Sequence, residues 1–268
     1  MKKTAPESNA MLWGAGVVLL LLFLSAILVL PGWLSARNQV LVTVVGDASG
    51  NGFETIYPSD GGAAYDVERQ GLSGMLQSED FRIAGVQYAA ELKPDFLVPE
   101  VLDNFDVVLL YNAPVCDRTA RQVLADFVEQ GGQLVAVGDA CTRVVDSPQT
   151  GWSIGNNRFG AAMPAVFQGV RDVDVRLKIY DVDHPMFNGI MNTWVNGSVS
   201  FVQPVTNTSV LAFLNSSDLE SGNAFYGILE KPFGKGRVVY FAYDPVPRIV
   251  TGVSRNMILN LLLYLDPR

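Results

Sequence analysis

The sequence predicts an α/β fold, a doubly wound and mainly parallel sheet with additional antiparallel strands in the C-terminal half, carried on an N-terminal transmembrane helix. Three observations point there. Met11 to Leu30 is an uncharged apolar stretch. Short β-branched runs then alternate with amphipathic segments through the first half of the remainder. From Val173 onward, runs alternate polar and apolar residues, the pattern of strands with one wetted face.

The apolar stretch comes first. At 1.5 Å per residue, Met11 to Leu30 covers about 30 Å, the thickness of a bilayer's hydrocarbon core. A buried core helix would carry a polar face, and a cleavable leader would have a shorter apolar region. Trp13 and Trp33 lie where interfacial aromatics belong. Lys2 and Lys3 precede the stretch, whereas only Arg37 follows it before Arg69. The positive-inside rule thus predicts a cytoplasmic tail over 1–10, a transmembrane signal-anchor over 11–33 and an extracytoplasmic α/β domain over 34–268 in the cell membrane.

The domain's elements follow in order. Val40 to Val45 reads as a buried strand ending at Gly46-Asp47, and 51–62 as loop. Tyr65 to Leu76 is compatible with a helix despite Gly71 and Gly74, and Phe81 to Tyr88 with a second strand. Val101 to Phe105 ends a short helix, and Asp106 to Tyr111 is a third strand. Asp117 is a fitting N-cap for a helix bearing Val123, Leu124, Phe127 and Val128 on one face and stopping at Gly131-Gly132. Gln133 to Val137 makes a fourth strand, so strand, helix and strand form a right-handed parallel crossover. Residues 151–169 read as a long loop with a short helix. Strands are expected over Val173–Tyr180, Val195–Val202, Ser209–Leu214, Ala224–Glu230 and Arg237–Tyr243, with a hairpin turn at Pro232–Gly236. Arg248 to Leu265 closes as an amphipathic helix.

Composition narrows function. The 268 residues carry a net charge of −8 with no Lys/Arg cluster, which argues against nucleic acid and against electrostatic contact with anionic lipid. Asn196, Asn207 and Asn215 each open an Asn-x-Ser/Thr pattern in turn-like sequence, so a glycoprotein is one reading and chance clustering the other.

The segments FVEQGGQLVAVGDA (127–140), DVDHPMFNGI (181–190) and EKPFGKGRVVYFAYDP (230–245), followed by a helix with NLLLYL, resemble the glutamine-amidotransferase-like superfamily. The likeness is to its flavodoxin-like branch of ThuA-like domains and the related domain of β-galactosidases, and it spans about residues 40–268. The resemblance implies a site at the C-terminal edge of the parallel strands, where open α/β sheets bind ligands. It also implies a nucleophilic cysteine in a Gly-x-Cys-x-Gly elbow, paired with a histidine and a glutamate after a late strand. Here Asp139 and Arg143 flank Cys141 in place of the glycines, and the late strand ends in Tyr243-Asp244-Pro245 without histidine. The glutamine amidotransferase triad is therefore not found.

Weak catalytic candidates are Cys141 and His184, the only histidine of the chain. His184 is either a site residue or a brace for the turn at Asp183-His184-Pro185. Cys116 and Cys141 emerge above neighbouring strands, so they read as a disulfide, as two inert thiols, or as a nucleophile and a bystander. Asp47, Asn112, Asp139 and Asp244 each follow a parallel strand. With His184 they form the candidate ligand-binding set, unless they are ordinary turn formers. No metal or cofactor is expected, because no His/Cys spacing supplies ligands.

Three functions fit these residues: a non-catalytic ectodomain binding a small ligand, glycan or partner protein; a hydrolase acting on a saccharide or amide through Cys141/His184 or strand-end carboxylates; and an accessory subunit of a membrane transporter or envelope complex. The bilayer itself is the expected partner of residues 11–33.

Overall fold

The computed structural model describes residues 39–48, 53–56, 65–68, 71–155, 157–173, 175–191, 194–195, 198–215, 225–246 and 252–267. The expected anchor over 11–33 and the Asn196 acceptor lie outside them. Among the described residues, no helix is long and apolar enough to cross a membrane.

Strand β1 (Val40–Gly46) is followed by the antiparallel pair β2 (Phe53–Ile56) and β3 (Tyr65–Glu68). Helices α1 (Leu72–Leu76) and α2 (Glu79–Ile83) lead into β4 (Val86–Leu92). A 3₁₀ turn at Pro94–Phe96 and helix α3 (Pro99–Leu102) return the chain to β5 (Val107–Tyr111). Then come α4 (Arg118–Gln130), β6 (Gln133–Val137), α5 (Asn157–Ala162) and β7 (Ala165–Asp172). Strand β8 (Val175–Ile179), a 3₁₀ turn at Pro185–Phe187, β9 (Trp194–Val195), β10 (Ser198–Pro204), β11 (Ser209–Asn215) and β12 (Phe225–Phe233) follow. The last elements are β13 (Gly236–Phe241) and α6 (Gly252–Tyr264).

The nine strands of the central sheet lie in the order β4-β1-β5-β6-β13-β12-β11-β8-β9. The first five are mutually parallel, and the four beyond β13 are antiparallel. The parallel strands, taken in chain order, stand 2-1-3-4-5. The winding direction therefore reverses between β1 and β5, and this reversal opens a crevice at the C-terminal edge of an α/β sheet. Every side chain of β5 and β6 is buried. That is the burial a parallel strand covered on both faces requires, at about 1.5–3 kcal/mol per large aliphatic side chain.

Helix α4 forms as its sequence dictates. Asp117 Oδ1 accepts the Ala120 N–H at 2.6 Å, Val123, Leu124, Phe127 and Val128 are buried, and Gly131 ends it at φ +127°.

Several elements differ from expectation. Tyr65–Leu76 is not one helix: Tyr65–Glu68 is a strand laddered on Phe53–Ile56 within the expected loop, and only Leu72–Leu76 is helical. A cross-strand partner outweighs weak local helix preference. Phe81 belongs to α2, not to a strand, with its ring fully buried. Gly85, at φ +87°, then stops the helix and lets β4 begin at Val86. Ala165–Asp172 is a strand rather than loop, paired with β10 in a separate two-stranded sheet. The expected strand Val195–Val202 is accordingly two strands, β9 in the central sheet and β10 outside it.

Candidate functional site

The loops after β1 and β5 meet at the point where the strand order reverses. Gly46 closes β1 at φ +129°, and a Cβ there would lie 1.9 Å from the Tyr111 carbonyl oxygen. Only glycine permits this approach, which lets the Asp47 N–H donate to that carbonyl at 3.1 Å. Asn112, at φ +50°, donates from Nδ2 to the Asp47 carbonyl at 3.2 Å. Two candidate residues are thereby tied to each other across the crevice, and both are exposed.

Tyr111 ends β5 with its ring buried and its hydroxyl donating to Asp244 Oδ2 at 2.9 Å. Asp244 Oδ1 accepts the Val246 N–H at 2.8 Å, so both carboxyl oxygens are held. Asp244 is solvent-accessible as a whole residue, yet desolvation of its carboxyl raises its pKa despite these two hydrogen bonds, which act in the opposite direction. Burial first, then the charges of Asp244 and Asp47, push the Tyr111 phenol far above its ordinary value. Tyr111 is therefore a permanent donor at neutral pH.

Asp139 sits in the loop after β6, where its Oδ2 accepts from Arg143 Nη2 at 3.1 Å. Just before it, Gly138 turns the chain at φ +63°, and nothing lies within 4 Å of where its Cβ would point. Gly138 donates its N–H to the Phe241 carbonyl, and its own carbonyl accepts the hydroxyl of fully buried Tyr240. This is the geometry of a strand-to-loop elbow with open space above it, but without a nucleophile.

Cys141 lies three residues further on and is bonded to Cys116, with Cα atoms 4.9 Å apart. Both residues are buried, and the sulfur offers no thiolate. Backbone hydrogen bonds zip the same two loops together: Cys141 N–H to Ala113 O, Arg143 N–H to Pro114 O, and Cys116 N–H to Arg143 O.

His184 lies elsewhere. Strand β8 runs antiparallel to β11, which restores the direction of β13, so β8 ends at the N-terminal edge of the parallel strands. His184 follows β8 and therefore belongs to the edge opposite Asp47, Asn112, Asp139 and Asp244. There its Nδ1 accepts the Met186 N–H at 3.2 Å, capping the 3₁₀ turn. Its Nε2 is 3.6 Å from Glu230 Oε2, an ion-pair distance too long for a hydrogen bond. Glu230 also accepts from Tyr264 and Arg237, which binds α6 to the sheet.

Three residues absent from the sequence-based set complete this edge. Tyr111 reads only as the end of an apolar strand. Arg121 sits among the apolar positions of α4, and its buried guanidinium donates from Nη1 to the carbonyls of Gly151, Trp152 and Ile154. Desolvation lowers its pKa to about 10, so it stays charged at neutral pH. Trp152 Nε1 in turn donates to the Ala140 carbonyl at 2.8 Å, fastening the loop that carries Asp139. A charged residue on an apolar helix face was the available signal for Arg121; nothing in sequence marked its partners. Among the described residues, no three His, Cys, Asp or Glu side chains converge as metal ligands.

No family model and no curated protein matches the sequence. Solved structures do. A cytoplasmic protein from Salmonella typhimurium LT2 is 14% identical, with a TM-score of 0.58 over 84% of this chain and 99% of that one. A ThuA-like protein from Bacteroides uniformis is 12% identical, with a TM-score of 0.56 over 85% of this chain and 91% of its own. The β-galactosidase from Rahnella sp. R3 gives a TM-score of 0.58 at 11% identity over 86% of this chain, which spans 32% of that enzyme. At these identities the likeness establishes the fold alone, an α/β fold shared with a ThuA-like protein and with part of a β-galactosidase.

Proposed function

We propose that this chain is a membrane-anchored, extracytoplasmic and non-catalytic amidotransferase-like domain that binds a hydroxyl-bearing small ligand or glycan at the C-terminal edge of its parallel strands. The observation that carries this reading is the Cys116–Cys141 disulfide. It removes the one cysteine placed near an elbow, and it fits an oxidising compartment, as the charge flanking residues 11–33 also does. His184 belongs to the opposite edge, so it offers no base to that site. Asp47, Asp139 and Asp244 with Asn112 supply acceptors for hydroxyl donors and disfavour phosphate or carboxylate ligands, since among the described residues the cations of this edge already have partners: Arg143 with Asp139, Arg118 with Asp146 and Arg121 with three carbonyls. Asn207 and Asn215 are both exposed and open to glycosylation on this reading.

The test is binding by full-length protein in nanodiscs against a panel of neutral mono- and disaccharides, read by calorimetry. We expect at least one ligand to bind the wild type and to lose about tenfold in affinity with Asp47→Asn or Asp244→Asn, the cost of about one charge-assisted hydrogen bond. Binding untouched by either substitution, or no binding across the panel, overturns the site. Protease treatment of intact cells tests the compartment: digestion only after lysis overturns it. A second reading, hydrolysis by strand-end carboxylates, draws support from the raised pKa of Asp244. Turnover of chromogenic glycosides abolished by Asp244→Asn would establish it.

A further inference from the structure

Large exposed hydrophobic side chains mark contact surfaces when they gather rather than scatter. Five of those among the described residues lie along the edge of the sheet where the parallel strands begin, spread from Ile83 beside β4 to Tyr180 and Val182 after β8, with Met191 and Leu263 at the same edge. Ile83 ends α2 two residues before Gly85, whose carbonyl accepts the N–H of Val40 at the start of β1. Tyr180 and Val182 follow β8, which ends at this edge. Met191 and Leu263 are drawn to it together, because Asn260 of α6 donates from Nδ2 to the carbonyls of Met186 and Asn188. Met191 is 80% exposed and Val182 70%.

We propose that this edge of the folded domain rests on a lipid bilayer, with the five side chains at the level of the headgroups. The proposal rests on reading 11–33 as a membrane anchor. Only six residues separate Trp33 from Val40, a span of about 24 Å at full extension, and Val40 begins β1 at this edge. A tether that short keeps whichever edge receives it within reach of the interface. Tyrosine among aliphatic side chains is the composition that interfaces favour. Asp181 and Asp183 are exposed beside Tyr180 and Val182, so anionic lipid adds no attraction at this edge and the contact rests on the apolar side chains.

The experiment uses full-length protein in phosphatidylcholine nanodiscs, with Met191→Cys or Leu263→Cys labelled by an environment-sensitive nitrobenzoxadiazole fluorophore. Val145→Cys, in the loop at the opposite edge, is the control, and the native cysteines are already bonded to each other. Lipids bearing a nitroxide on the headgroup serve as quencher. The expected result is blue-shifted emission at 191 and 263, quenched at least about twofold more strongly than at 145 and unchanged by added anionic lipid. Protein that co-migrates with the discs but is quenched equally at all three positions overturns the edge contact alone. Protein that fails to co-migrate with the discs overturns the anchor and this proposal with it.

Discussion

Replacing Glu230 by Gln tests whether one carboxylate docks the C-terminal helix. Glu230 Oε1 accepts from Tyr264 of α6 at 2.9 Å and from Arg237 of β13 at 3.0 Å, while His184 Nε2 stands 3.6 Å from Oε2. The side chain is only 13% exposed, so water replaces little of what is lost. Burial by itself would raise the pKa of Glu230, but His184, Tyr264 and Arg237 outweigh it and hold the carboxyl below its ordinary value. A hydrogen bond to a charged group is worth roughly 1.5–3 kcal/mol. Arg237 is itself more than a third exposed, so its share is screened, and about 2 kcal/mol remains for the substitution. For a domain of this size that lowers the melting temperature by roughly 4–8 °C. Because the folded pKa is depressed, the stabilisation is fully present above the unfolded value of about 4.3 and disappears as the pH falls through the folded one. Thermal melts of wild type and variant by circular dichroism should therefore differ at pH 7, and the difference should shrink as the pH falls below about 4. A difference that persists undiminished at pH 3, or no difference at pH 7, refutes the role assigned to Glu230.

Two further perturbations follow from the site's geometry. Substituting both Cys116 and Cys141 by Ala opens a covalent loop with a separation of 25 residues, so denaturant unfolding should show a loss of about 3 kcal/mol. An unchanged midpoint would mean that the backbone bonds between the two loops suffice alone. Gly46→Ala and Gly138→Ala form a paired test, since both positions have positive φ but only position 46 clashes. Gly138→Ala should cost about 1 kcal/mol and leave the fold intact, whereas Gly46→Ala should abolish soluble expression or the cooperative melt. Equal effects would show that the closeness of β1 and β5 is not what demands glycine.

The parallel half of the sheet was legible because its signals are local. Val107–Tyr111 and, after Gln133, Leu134–Val137 are continuous apolar runs, and Asp117 and Gly131 bracket the helix between them. The adjacency of Cys116 and Cys141 followed from that crossover. What failed depended on distant partners. Phe53–Ile56 and Tyr65–Glu68 are strands only because each has the other, and Ala165–Asp172 is one because β10 pairs with it. Phe81 reads as part of a strand because Phe81 and Ile83 alternate about Arg82, a spacing that the end of a helix before Gly85 also accommodates.

The sequence by itself determined the alternation of elements, the acidic surface and the strand ends where Asp47, Asn112, Asp139 and Asp244 stand, since periodicity and turn chemistry are written in consecutive residues. Tertiary structure alone decided that Tyr111 reaches Asp244 across 133 positions of chain, that Cys141 is bonded, and that His184 turns away to Glu230 at the opposite edge. The physical reason is strand direction. One antiparallel excursion from β13 through β12 and β11 to β8 moves a loop from one edge of the sheet to the other, and no local pattern records which way a strand points.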